Sequence, residues 1–208
     1  MKDKAADARV DPLPAPPKRR PPSIMVLPQG AELKLRILHS IDRPIDDITV
    51  DEICRRCGIS RRTFYNHFNS KSSILPWFSG LARTAFIEEI GRSLSLEEGL
   101  LRFYQFIYSE RDFVMFAAQF DYTVDGLHDA EWDKWRQAYV ATLTELHGIK
   151  LNEELEALVF GFLTIETAFG LKWVRDGFSI EPEVLVSRMM EFIPKRFARL
   201  LDPVSQTQ

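Results

Sequence analysis

Cysteine is scarce in this chain. Cys54 and Cys57 are the only two, too few for a scaffold held by disulfides. No second ligand pair accompanies them, which argues against a zinc site. Valine, isoleucine and threonine do not gather in the alternating runs of half-buried strands. No window approaches the apolar length of a membrane span, and the N-terminus lacks the continuous apolar segment of a secretory leader. A Gly-rich phosphate loop, a nucleophile elbow and a paired-histidine metal motif are also missing. The four histidines, His39, His67, His128 and His147, are scattered, so neither catalysis nor a cofactor is expected. What remains is a soluble cytoplasmic protein with no enzymatic role, no metal and no membrane partner.

Apolar residues recur three and four apart almost from Ala31 to Leu201, the period of helices that bury one face. The expected class is therefore all-α, and 208 residues that are 45% hydrophobic suffice for a substantial core. The formal net charge of -3 conceals an uneven distribution. From Ile53 to Ile87 the charged residues are Arg55, Arg56, Arg61, Arg62, Lys71 and Arg83, with no acid among them, whereas the chain beyond Glu88 is acidic. One end suits a polyanion. Residues 1–28 carry Pro12, Pro14, Pro16, Pro17, Pro21, Pro22 and Pro28, which predicts a disordered or polyproline-like arm. Lys18, Arg19 and Arg20 lie within it as a solvated linker or as a reach toward DNA.

The stretch Ile48 to Leu75 predicts a helix-turn-helix. Thr49 and Glu52 have capping-box spacing and open a helix with Val50, Ile53 and Cys57 inward. Gly58 ends it, and Ser60 caps a second helix from Arg61 to His67. Phe64 and Phe68 lie four apart and with Ile59 face the core, leaving Arg62, Thr63, Tyr65, Asn66 and His67 outward. With a first helix from Gly30 to Asp42 this makes a three-helix head. Arg62 and Asn66 suit guanine and adenine edges, and Thr63 offers a hydroxyl or a methyl group. Tyr65, His67 and Lys71 suit phosphates, which position the protein without reading sequence. The Cys54–Cys57 pair fits packing by small apolar side chains, with a redox switch as the alternative.

Beyond the head, Ser70 caps a helix to about Ile90 that Pro76 is expected to bend. Ser95 and Glu98 open a helix to about Ser109, followed by one from about Asp112 to Phe120. Further helices are expected from Leu127 to His147, Asn152 to Arg175, and Pro182 to Leu201. The resulting divisions are 1–28 arm, 29–75 head, 76–201 helical body and 202–208 tail. Gly161 and Gly170 strip side chains from an apolar helix, which close approach of a partner helix would explain, with an intramolecular core as the alternative.

The run of Thr49, Ile53, Cys54, Cys57, Gly58, Ile59, Ser60, Thr63, Tyr65, His67, Phe68, Ser70 and Lys71 resembles the DNA-binding signature of the TetR/AcrR family of bacterial one-component regulators. It covers about a quarter of the chain. Cysteines replace the usual alanines, Arg62 replaces a small residue, and Arg43 to Asp47 replaces the usual turn. The resemblance implies a homodimer reading a near-palindromic double-stranded operator, probed here by Thr49, Arg61, Arg62, Thr63, Tyr65, Asn66, His67 and Lys71. It implies a small-molecule effector in the body, with Phe103, Phe116, Gln119, Phe120, Tyr122, Trp135, Tyr139 and Glu166 as candidate lining and His128 and Lys172 as further polar anchors. It also implies a dimer interface on the last two long helices, at Gly161, Phe162, Ile165, Phe169, Trp173, Leu185, Met189 and Phe192. The expected role is a ligand-responsive regulator, a repressor, with an activator or a co-activator acting through a partner protein as the alternative.

Overall fold

A computed structural model of the chain describes residue 28, residues 30–117 and residues 130–203. The proline-rich arm and the expected pocket residues Gln119, Phe120, Tyr122 and His128 lie outside these residues. The described residues are helical, apart from turns and one isolated bridge between Ile90 and Leu94.

The head comprises α1 (Ala31–Leu38), α2 (Val50–Cys57) and α3 (Arg61–His67), with a 3-10 turn at Ile45–Asp47. Helix α1 is shorter than its apolar spacing suggests, because the chain turns away after Leu38. The Thr49–Glu52 capping box forms in both directions, and Arg43 reinforces it by donating to Glu52 at 2.5 Å. Gly58 closes α2 at φ 64°, and the Ser60 hydroxyl accepts the backbone N–H of Thr63 to open α3. Ile53, Cys54, Phe64 and Phe68 are buried, whereas Val50 and Cys57 are only half-buried. Cys54 is therefore the less exposed residue of the pair.

A 3-10 turn at Lys71–Ser73 leads into α4 (Ile74–Ala82), which continues as a π-helical turn at Arg83–Ile87. This replaces the single long helix expected from Ser70 to Ile90. Pro76 lies in the first turn of α4, where a missing N–H leaves no ladder gap, so the irregularity falls at the π turn instead. Lys71 was expected among the phosphate contacts. Its ammonium donates to the carbonyls of Ile45, Asp46 and Ile48 at 2.7, 2.9 and 3.1 Å, so its three donors tie the head's first turn to the start of α4.

The body is built on α5 (Leu96–Ser109), which packs on α4, the π turn, α6 (Arg111–Ala117) and α9 (Pro182–Phe192). Phe78 of α4 stacks on Phe106 of α5 with ring centroids 5.1 Å apart and meets Phe113 of α6 edge-on. A Cβ at Gly99 would lie 2.3 Å from the Ile90 side chain, so glycine there lets the π-turn exit settle against α5. Helix α7 (Ala130–Ala141) ends in a second π turn at Thr142–Leu146, and α8 (Glu153–Arg175) is capped by the Asn152 side chain. The expected helix from Pro182 to Leu201 is two, because Pro194 separates α9 from α10 (Lys195–Leu200).

By length and composition alone α8 is apolar enough to cross a bilayer, with a mean hydropathy of 1.4, which corrects the expectation that no stretch has that length. Within the protomer 28% of that stretch is buried, in part against α7 and α9. The dimer assignment is corrected for four residues: Phe162, Trp173, Leu185 and Met189 are at most 2% exposed inside the protomer's own core. Gly170 is also explained internally, since a Cβ there would come within 3.0 Å of the Tyr104 hydroxyl.

Two substitutions test this packing in urea unfolding. Gly99→Ala is expected to cost about 1–3 kcal/mol through the forced shift of Ile90. Lys71→Met is expected to cost about 1–3 kcal/mol without any DNA present, by leaving three carbonyls without their donor. Unchanged midpoints would contradict these roles.

Candidate nucleic-acid interface and effector cavity

Helix α3 combines a buried anchor with an exposed polar face. Phe64 is fully buried and packs against Tyr65 and Phe68, and Phe68 meets Trp77 of α4 edge-on at 5.7 Å. Arg61, Arg62, Tyr65 and Asn66 are exposed, and Thr63 and His67 are half-buried. These six therefore form one surface, although the Thr63 hydroxyl is engaged with that of Ser60 at 2.9 Å. Arg61 is paired with Asp51 at 2.9 Å, an exposed contact that a phosphate can replace. The neighbouring acid raises the Arg61 pKa further, so its charge is permanent.

Thr49 is exposed at the start of α2, where its hydroxyl is held by Glu52. Hydrogen bonds from Thr49 and Arg43 pull the Glu52 carboxyl down to about 2, so the cap stays ionised far below neutral pH. Arg56 is turned inward to the Ser40 carbonyl and Asp42, leaving Arg55 as the exposed base on α2. Burial raises the pKa of both cysteine thiols. A raised thiol pKa disfavours the reactive thiolate and fits the packing role.

The body holds a cavity of about 470 Å³ between α4, α5, α6, α7 and α8. Of the expected lining, Phe103, Trp135 and Glu166 reach it; Phe116 does not, and Tyr139 stands behind Glu166, fully buried. Lys172 is exposed and paired with Asp176, away from the lining. The expected set omits the wall formed by Ser72 and the α4 residues Leu75, Pro76 and Ser79, and the aromatic residues Tyr104, Trp132 and Trp173. Their signal was present: Ser72, Leu75, Pro76 and Ser79 follow the helical spacing of one face, as do Leu163, Glu166, Thr167 and Gly170 on α8.

Among the described residues Glu166 is the acid that lines this cavity, and it is 5% exposed. The Tyr139 hydroxyl donates to its carboxyl at 3.3 Å, and the Tyr104 hydroxyl donates to its backbone carbonyl at the same distance. Burial pushes its pKa up to about 8, because the charged form loses hydration that the apolar wall does not replace. Folding therefore favours the protonated acid. The stability this supplies is complete below the ordinary carboxylate pKa and is lost as pH rises through about 8. Urea unfolding at pH 5 and pH 8.5 should show the native protein losing stability relative to Glu166→Gln at the higher pH; parallel behaviour would oppose this assignment.

Comparison with known proteins bears on both halves. Residues 41–76 match the family described as bacterial regulatory proteins, tetR family. The HTH-type transcriptional regulators EthR of Mycobacterium tuberculosis (strain ATCC 25618 / H37Rv) and Mycobacterium bovis (strain ATCC BAA-935 / AF2122/97) are each 43% identical over 53 residues. That match covers 23% of this chain and 24% of each relative, so the chain aligns with about a quarter of their length. A crystal structure of a tetR-family transcriptional regulator from Streptomyces coelicolor superposes with a TM-score of 0.54 at 18% identity, over 82% of this chain and 87% of that one, and shows a common fold. The helix-turn-helix head thus matches the tetR family of bacterial regulatory proteins over residues 41–76, and the all-helical body shares the fold of a solved tetR-family regulator.

Proposed function

We propose that this transcriptional regulator is a ligand-responsive repressor that binds a near-palindromic operator as a homodimer and acts in the cytoplasm. The observation that carries the reading is the double duty of α4. Its Trp77 touches Phe68 at the end of the recognition helix, while Leu75, Pro76 and Ser79 form one wall of the cavity. A ligand that displaces this wall shifts the head, and two heads held at a fixed separation then lose their register on DNA.

In this reading residues 29–75 are the DNA-binding domain and residues 76–201 the effector-binding and dimerisation domain. Arg62 and Asn66 read base edges, with Thr63 beside them. Arg61, Tyr65, His67 and Thr49 meet phosphates, and Lys71 acts by fixing the turn that precedes α2. The dimer face is the outward stripe of α8 and α9. Phe160, Val184 and Phe192 are 55%, 41% and 59% exposed there, a large apolar exposure for a protomer alone. Gly161, Ile165 and Phe169 lie alongside, and Phe169 packs on Phe192.

Footprinting on the DNA beside its own gene should reveal a protected near-palindrome, with binding that weakens steeply as salt rises. Arg62→Ala and Asn66→Ala should each relax base discrimination by about 1–3 kcal/mol. No protected site, together with no effect of Arg62→Ala or Tyr65→Phe, would sink the DNA-reading assignment. In sedimentation, Phe160→Glu combined with Phe192→Glu should convert a dimer to a monomer at micromolar concentration, and a persistent dimer would reject the proposed face.

A further inference from the structure

Among the described residues the cavity lining holds one acid, set between aromatic rings. Phe103, Trp132, Trp135 and Trp173 line it, and Phe103 and Trp135 meet edge to face with centroids 5.1 Å apart. Among the described residues the Glu166 carboxyl has the Tyr139 hydroxyl as its hydrogen-bond partner and no cation. Arg175 is the base of the described lining, and it is exposed at the end of α8. A carboxyl buried without a counter-charge is costly, and such groups mark sites where a ligand completes the pairing.

We propose that the cavity takes a lipophilic amine, with its ammonium against Glu166 and its apolar body among Phe103, Trp132, Trp135 and Trp173. The inference rests on the effector reading above and names the chemical class of that effector. Ring faces carry negative potential and attract a desolvated cation, so the aromatic wall and the carboxylate favour the same charge. A carboxylic acid ligand meets like charge or competes for the single proton, and a neutral ligand gains one hydrogen bond without a charge pair.

Proton balance follows from the burial of the site. In the empty cavity near neutral pH the carboxyl holds its proton. A neutral amine accepts that proton, leaving carboxylate against ammonium; an amine that arrives protonated displaces one proton to solvent. Tyr104 and Tyr139 also face this group, and burial beside Glu166 keeps their hydroxyls protonated well beyond their ordinary range. They remain donors throughout.

Three probes share one body and differ in head group: 4-phenylbutylamine, 4-phenylbutanol and 4-phenylbutyrate. Titrated calorimetrically into the full chain near neutral pH, the amine should bind about tenfold more tightly than the alcohol, and the carboxylate weakest. Glu166→Gln should remove the amine's advantage and retain alcohol binding, which also shows that the cavity is formed. Alcohol or carboxylate binding as tightly as the amine, an advantage that survives in Glu166→Gln, or no binding by any probe overturns the ligand class. DNA retention reports separately on the effector reading: an amine bound through Glu166 that leaves operator binding unchanged refutes effector control and keeps the ligand class.

Discussion

Phe78 is the contact on which this arrangement depends. Stacked on Phe106 and edge-on to Phe113, it fixes the rotation of α4 about its own axis. That rotation decides which α4 residues face the cavity and how Trp77 reaches Phe68. A helix held this way has discrete arrangements, because aromatic rings in a dense core repack in steps. The buried residues form one cluster that runs from Leu35 in the head to Leu201 at the far end, so a step at α4 has no soft layer in which to dissipate.

Local signals were legible in the amino-acid sequence. The caps at Thr49, Ser60 and Ser95 form as their spacing predicts, and Gly58 adopts positive φ at the end of α2. These depend on neighbours within a few residues. Apolar periodicity, by contrast, runs through Pro194 without interruption and hides the break between α9 and α10. The Lys71 tie spans more than twenty positions and depends on where a distant turn leaves its carbonyls.

The cavity and the outer face were less legible for a different reason. Helix α8 is apolar around much of its circumference, so hydrophobicity does not say which side faces outward. Burial separates the two sides. Glu166, Gly170 and Trp173 face the cavity and core, while Phe160, Thr164 and Ala168 are turned away. One helix thus carries both a wall of the cavity and the face proposed for a partner protomer. Trp173 shows the consequence for assignment: its indole N–H donates to the Ile180 carbonyl within the chain, and its ring packs on Tyr104 and Phe178.

The hydrogen bond between His39 and Glu110, 2.9 Å long, joins the end of α1 to the end of α5. It gives the head a second attachment to the body, independent of the covalent path through α4. A rigid piece held at one point can swivel in three directions, whereas one held at two points turns mainly about the line between them. The His39–Glu110 contact and the α4 entry define such a line. A displacement of the head that breaks neither is restricted more tightly than one resisted by the α4 entry alone.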